Sequence, residues 1–88
     1  MEILNVTFID NASHGYLIVD TEDIKRIVND VNEISGFSGV RCGQVQLEED
    51  CDLGIFLRDA KEKNIVVKIR ETYNERFRCE KNYSPSML

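Results

Sequence analysis

Several things are scarce in this 88-residue chain, and each scarcity removes a class of function. The three cysteines, Cys42, Cys51 and Cys79, are odd in number and form no CxxC pair. Neither a disulfide framework nor a thiolate zinc site is signalled, which points to a reducing cytoplasm. No apolar run is longer than a few residues, so no stretch has the length of a membrane span. The opening MEILNVTFID alternates apolar with polar residues and carries an acid at position 2, unlike a signal peptide. There is one histidine and no phosphate-cradling glycine-rich loop, so no catalytic motif of defined spacing stands out.

A basic excess is also missing. Lys and Arg total 11 against 16 Asp and Glu, a net charge of −5. The acids concentrate in residues 1–64, while residues 65–88 carry Lys68, Arg70, Arg76, Arg78 and Lys81 against Glu71, Glu75 and Glu80. An acidic body with a mildly basic end argues against general duplex binding, which needs a concentrated basic surface. A protein partner or a small polar ligand suits it better, with no membrane partner.

What is present describes one small domain. Hydrophobic residues at 42% and charged residues at 31% are globular values, enough for one modest core. Leu4, Val6 and Phe8 alternate over residues 2–9 as in a half-buried strand, and YLIV at 16–19 follows across the loop DNASHG. An antiparallel hairpin results, with Gly15 available for a positive φ. Ile24, Ile27, Val28, Val31 and Ile34 then recur at helical spacing, with Asp20 or Thr21 as N-cap and Gly36 as the stop. GFSGVRCG leads into a third strand at about 44–48. A second helix follows over about 51–63, with Leu53, Phe56, Leu57 and Ala60 inward and Asn64 as its C′ residue. IVVKIRETY, residues 65–73, is β-branched and alternating, a fourth strand. The order β-β-α-β-α-β predicts an α+β two-layer sandwich, with two helices on one face of a small, mainly antiparallel sheet. Residues 1–75 form the domain, and 76–88 an extended tail that docks on it or waits for a partner.

Two stretches carry candidate chemistry. In QVQLEEDCDLGIFL, Glu49, Asp50 and Asp52 stand where the second helix begins, and carboxylates are favoured there by unpaired N–H groups and the helix dipole. The same carboxylates suggest Mg²⁺ or Ca²⁺, but the spacing matches no EF-hand loop, so no metal or cofactor is assigned. Cys51 beside them is expected to be a small buried thiol. In ASHGYL, Ser13, His14 and Tyr16 offer a hydroxyl, an imidazole and a phenol within four residues, a set suited to a polar small molecule or a peptide.

SHGYL at 13–17, ISGFSG at 34–39, LEEDCDLGIFL at 47–57, YNERFR at 73–78 and NYSPSML at 82–88 together resemble a family of small, functionally uncharacterised proteins of bacteriophages and mobile elements. The resemblance runs over nearly the whole chain. It departs at Gln46, where an aromatic or apolar residue is expected, which implies an exposed position. By context it implies an accessory, anti-defence role, since small phage proteins often block host proteins or sequester signalling molecules. It also suggests that His14, Glu49, Asp50, Asp52, Tyr73, Asn74 and Tyr83 form one site, because they lie in the shared blocks.

The leading expectation is a non-catalytic cytoplasmic binding protein that inhibits a host protein or captures a small nucleotide-like ligand. Gly54 and Ile55, taken to lie opposite the buried stripe of the second helix, together with Phe77, would supply partner or homodimer contacts. One alternative is a small metal-dependent hydrolase using the acidic block and His14. Another is weak nucleic-acid binding through the basic end, where the adjacent acids dilute the patch.

Overall fold

Alternation of apolar residues builds the sheet, and the computed structural model describes residues 1–88. Strand β1 (Glu2–Asp10) turns Leu4, Val6 and Phe8 to one side. Strand β2 (Gly15–Asp20) returns antiparallel beside it, with Leu17 opposite Phe8. Helix α1 (Thr21–Ile27) leads to a hairpin of β3 (Gly39–Arg41) and β4 (Gln44–Glu48). Helix α2 (Leu53–Glu62) then crosses to β5 (Ile65–Tyr73). The five strands lie in the order β3-β4-β2-β1-β5, with β5 parallel to β1 and every other neighbour antiparallel. Both helices pack on one face, giving a two-layer α+β sandwich. No helix is long and apolar enough to cross a membrane.

The core lies between the layers. Ile24 and Ile27 of α1 and Phe56 and Ala60 of α2 are buried against Leu17, Val19, Val45 and Leu47. Each large side chain enclosed there contributes about 1.5–3 kcal/mol. Helix α2 ends as its sequence predicts. Asn64 takes a left-handed φ of 59° and donates its N–H to the Lys61 carbonyl.

Three local expectations are corrected. Helix α1 stops at Ile27, well short of Gly36, although Ile34 further along is still buried. Asn29 and Asp30 compete for the backbone at that point: the Asp30 carboxylate accepts from the Asn32 N–H at 3.0 Å and starts a short 3₁₀ turn. The Asn29 N–H turns away to the Asp59 carboxylate of α2 at 2.9 Å. Second, GFSGVRCG is not merely a connection, because it contains β3. Cys42 and Gly43, with φ of 52° and 77°, make the two-residue turn into β4. Third, Gly15 has no positive φ; Ala12 supplies it, at 77°. Gly15 is required for space instead, since a Cβ there would stand 2.1 Å from Cζ of Phe8.

Beyond β5, residues 74–88 fold back as a strap. Phe77 lies on the Tyr16 ring at 5.5 Å between centroids. Cys79 then packs beside Gly39, where a Cβ would come within 2.9 Å of its Sγ. Asn82 and Tyr83 donate their N–H groups to the Ser38 carbonyl at 3.0 and 2.9 Å. Tyr83 is buried in the core, and its hydroxyl donates to the Val31 carbonyl at 2.7 Å.

Candidate functional site

The loop between β1 and β2 is held by its own side chains. Asn11 Oδ1 accepts from the N–H groups of Ser13 and His14 at 3.0 and 2.8 Å, and Asp10 accepts from that of Ala12 at 2.8 Å. The Asn11 amide donates across to the Phe77 carbonyl at 3.0 Å, tying loop to strap. The result is a groove of about 450 Å³ lined by Asn11, Ser13, His14, Tyr16, Glu75, Arg78, Cys79 and Lys81. His14 meets the Tyr16 ring edge-on at 6.4 Å. Tyr16 is only 2% exposed, yet its hydroxyl takes no partner in the chain and opens into the groove. Burial, with Cys79 and Glu48 nearby, pushes its phenol pKa up, so it remains a donor. Arg78 Nη1 binds the Glu75 and Phe77 carbonyls at 2.8 and 2.9 Å, which fixes the guanidinium at the groove.

The acidic block lies elsewhere and does something different. Asp52 occupies the N-cap position of α2 without a side-chain cap bond. Its carboxylate, 1% exposed, accepts from the Ser35 N–H at 3.0 Å, the Ser35 hydroxyl at 2.7 Å and the Ser38 hydroxyl at 2.5 Å. Ser38 Oγ in turn accepts from the Glu48 N–H at 3.0 Å. Glu48 closes the turn ahead of the helix instead of capping it, its carboxylate accepting from the Cys51 N–H at 2.9 Å. Three of the stretches quoted above, ISGFSG, LEEDCDL and NYSPSML, thus meet in a clasp around Ser38 that seats the strap. The other two, SHGYL and YNERFR, meet at the groove.

The predicted site therefore divides. Ser13, His14 and Tyr16 stand together, with Phe77 against Tyr16. Asp52 is enclosed in the clasp and Tyr83 in the core, so neither reaches the groove. Glu49 and Asp50 are exposed beside the clasp. Tyr73, 60% exposed, ends β5, and Asn74 joins strand to strap by donating its N–H to the Asp10 carbonyl at 2.9 Å. Gly54 faces open space, but Ile55 is corrected: it packs against the core cluster instead of pointing away from it. Phe77 is likewise committed to Tyr16. Cys51 is exposed, not buried, and Glu48, hydrogen-bonded to it and backed by Asp52 and Asp50, raises its pKa. Gln46 is half-buried opposite Ile18. No three His, Cys, Asp or Glu side chains converge as a metal site.

The sequence reading missed Asn11, Glu75, Arg78, Cys79 and Lys81, which line the groove. An Asn three residues before His14 in a polar turn was a usable sign for the first. Nothing local marked the strap residues, because their position depends on the clasp. Asp59 was also missed, though an acid next to Ala60 on the apolar stripe was the visible sign. It is fully buried, accepting from Arg58 Nε at 2.8 Å and the Asn29 N–H at 2.9 Å. Those two partners hold its carboxyl below the usual range against the opposing effect of burial.

Comparison of the chain with protein-family models, curated proteins and solved structures yields no match.

Proposed function

We propose that the protein is a non-catalytic accessory binding protein of the phage type, acting in the host cytoplasm, which captures a small anionic, nucleotide-like ligand in the groove between hairpin loop and strap. The observation that carries this reading is the Tyr16 hydroxyl, unpartnered at the groove beside His14, Ser13 and Arg78. A hydroxyl, a phenol, an imidazole, an amide and two cations suit a phosphate on a polar heterocycle, and the volume is that of a small-molecule site. An anti-defence role follows if that ligand is a host signalling nucleotide. Native mass spectrometry of gently purified protein, followed by calorimetric titration with nucleoside monophosphates, tests it. A retained nucleotide-sized mass that disappears in Arg78→Ala and His14→Ala supports capture. A bare protein that also takes up none of the added nucleotides sinks it, and the subunit count from the same spectrum tests the expected homodimer.

A further inference from the structure

The outer edge of β5 is the one long backbone surface of the sheet that the chain leaves open. The Asn74 N–H bond to the Asp10 carbonyl fixes the phase of the β1–β5 ladder. In a parallel pair, alternate residues direct both backbone groups to the same neighbour. The even-numbered residues of β5 therefore bond to β1, and Ile65, Val67, Ile69, Glu71 and Tyr73 turn N–H and C=O outward. No hydrogen bond from a turn, a loop or the strap reaches them.

We propose that this edge docks an extended segment of a partner protein that alternates acidic with apolar residues, adding to the sheet as a further strand. The side chains beside the edge set that chemistry. On the uncovered face, Lys68 and Arg70 project over a hollow of about 440 Å³ shared with Asn5 and Thr7. Neither cation forms an ion pair, although the chain as a whole carries −5. On the other face, Ile69 is 41% and Tyr73 60% exposed past the cover of the helices. Carboxylates in one row of the incoming strand meet Lys68 and Arg70, and apolar residues in the other row cover Ile69 and Tyr73.

A second copy of this chain does not fit. In antiparallel self-pairing about a twofold axis, residues facing each other share a side of the sheet. Every register that pairs seven or more of the nine residues of β5 sets Lys68 or Arg70 against Lys68 or Arg70 of the copy. A nucleic-acid backbone does not fit either, because its phosphates accept hydrogen bonds and leave the outward carbonyls without donors.

The test is amide hydrogen exchange by NMR on the full chain, with a synthetic peptide alternating Glu and Val, matched in length to β5. The same peptide with Lys for Glu and a single-stranded oligonucleotide serve as controls. The Glu peptide is expected to slow exchange at Val67, Ile69 and Glu71 by roughly tenfold or more, with the Lys peptide roughly tenfold weaker in affinity. Lys68→Glu combined with Arg70→Glu reverses the preference between the peptides. Protection elsewhere, indifference to peptide charge, or preferential binding of the oligonucleotide with these amides still fast overturns the proposal. The comparison of the two peptides on the unaltered chain decides the matter even if the double variant fails to fold.

Discussion

The two edges of the sheet are treated in opposite ways. At one edge β3 is three residues long and strapped: Asn82 Oδ1 accepts from the Val40 N–H at 3.1 Å, and the Ser38 carbonyl beside it receives two amides from the strap. At the other, β5 runs nine residues with nothing laid along it. An open edge invites association, and proteins usually shorten, cover or charge it. Here the first edge is shortened and covered, and the second is only charged. The covered edge is thus where perturbation will damage the fold, and the open one where it will alter partners.

The largest effect is expected at the clasp. Asp52→Ala strands the Ser35 N–H and two hydroxyls in a buried place, so urea unfolding should register a loss of about 3 kcal/mol or more. An intact midpoint would mean that the strap is seated without its carboxylate. Tyr83→Ala comes next, at about 3 kcal/mol for an emptied core position. It should also release the Val40 amide to exchange, whereas Tyr83→Phe loses only the bond to Val31, about 1 kcal/mol. If Val40 stays protected in Tyr83→Ala, the strap does not depend on that anchor.

Acid should weaken the contact between the end of α1 and helix α2, where the Asn29 N–H meets Asp59. The Asp59 carboxyl is held below its ordinary value of 3.8, so the folded chain binds that proton less readily than the unfolded chain does. Its contribution is complete above the unfolded pKa and declines as pH falls through the folded one, a window at and below about pH 4. Unfolding followed down through that window should show a slope that Asp59→Asn flattens, and an unchanged slope would assign the acid sensitivity to other groups. The smallest effect belongs to the open edge. Ile69→Thr should change stability by about 0.5 kcal/mol or less, since Ile69 is 41% exposed. A larger loss would show that this edge is structural after all.

Much of the fold was legible in the chain, for identifiable reasons. Strand alternation at Leu4, Val6 and Phe8 and over residues 65–73, and the stripe of Phe56 and Ala60, are local signals that tertiary packing reinforces. The end of α1 was not legible. Val31, partly buried, and Ile34, buried, keep the helical period and pack against the core without continuing the α-helix. Of the candidate site, Ser13, His14 and Tyr16 could be read because one short polar turn holds them together. The acids of LEEDCD were visible too, but their role was not: a carboxylate at a helix start looks the same whether it caps the helix or, like Asp52, gathers serines from another loop.

The sequence by itself determined the two layers, the hairpin, the start of the first helix and the acidic balance, because each follows from periodicity and composition within a few neighbouring residues. Only the tertiary structure decided which edge is covered, where Tyr83 goes and that Arg78 and Lys81 stand beside His14. Those outcomes depend on contacts such as Ser38 with Asn82 and Asn11 with Phe77. Groups so far apart in the chain meet only once the sheet has set their distance.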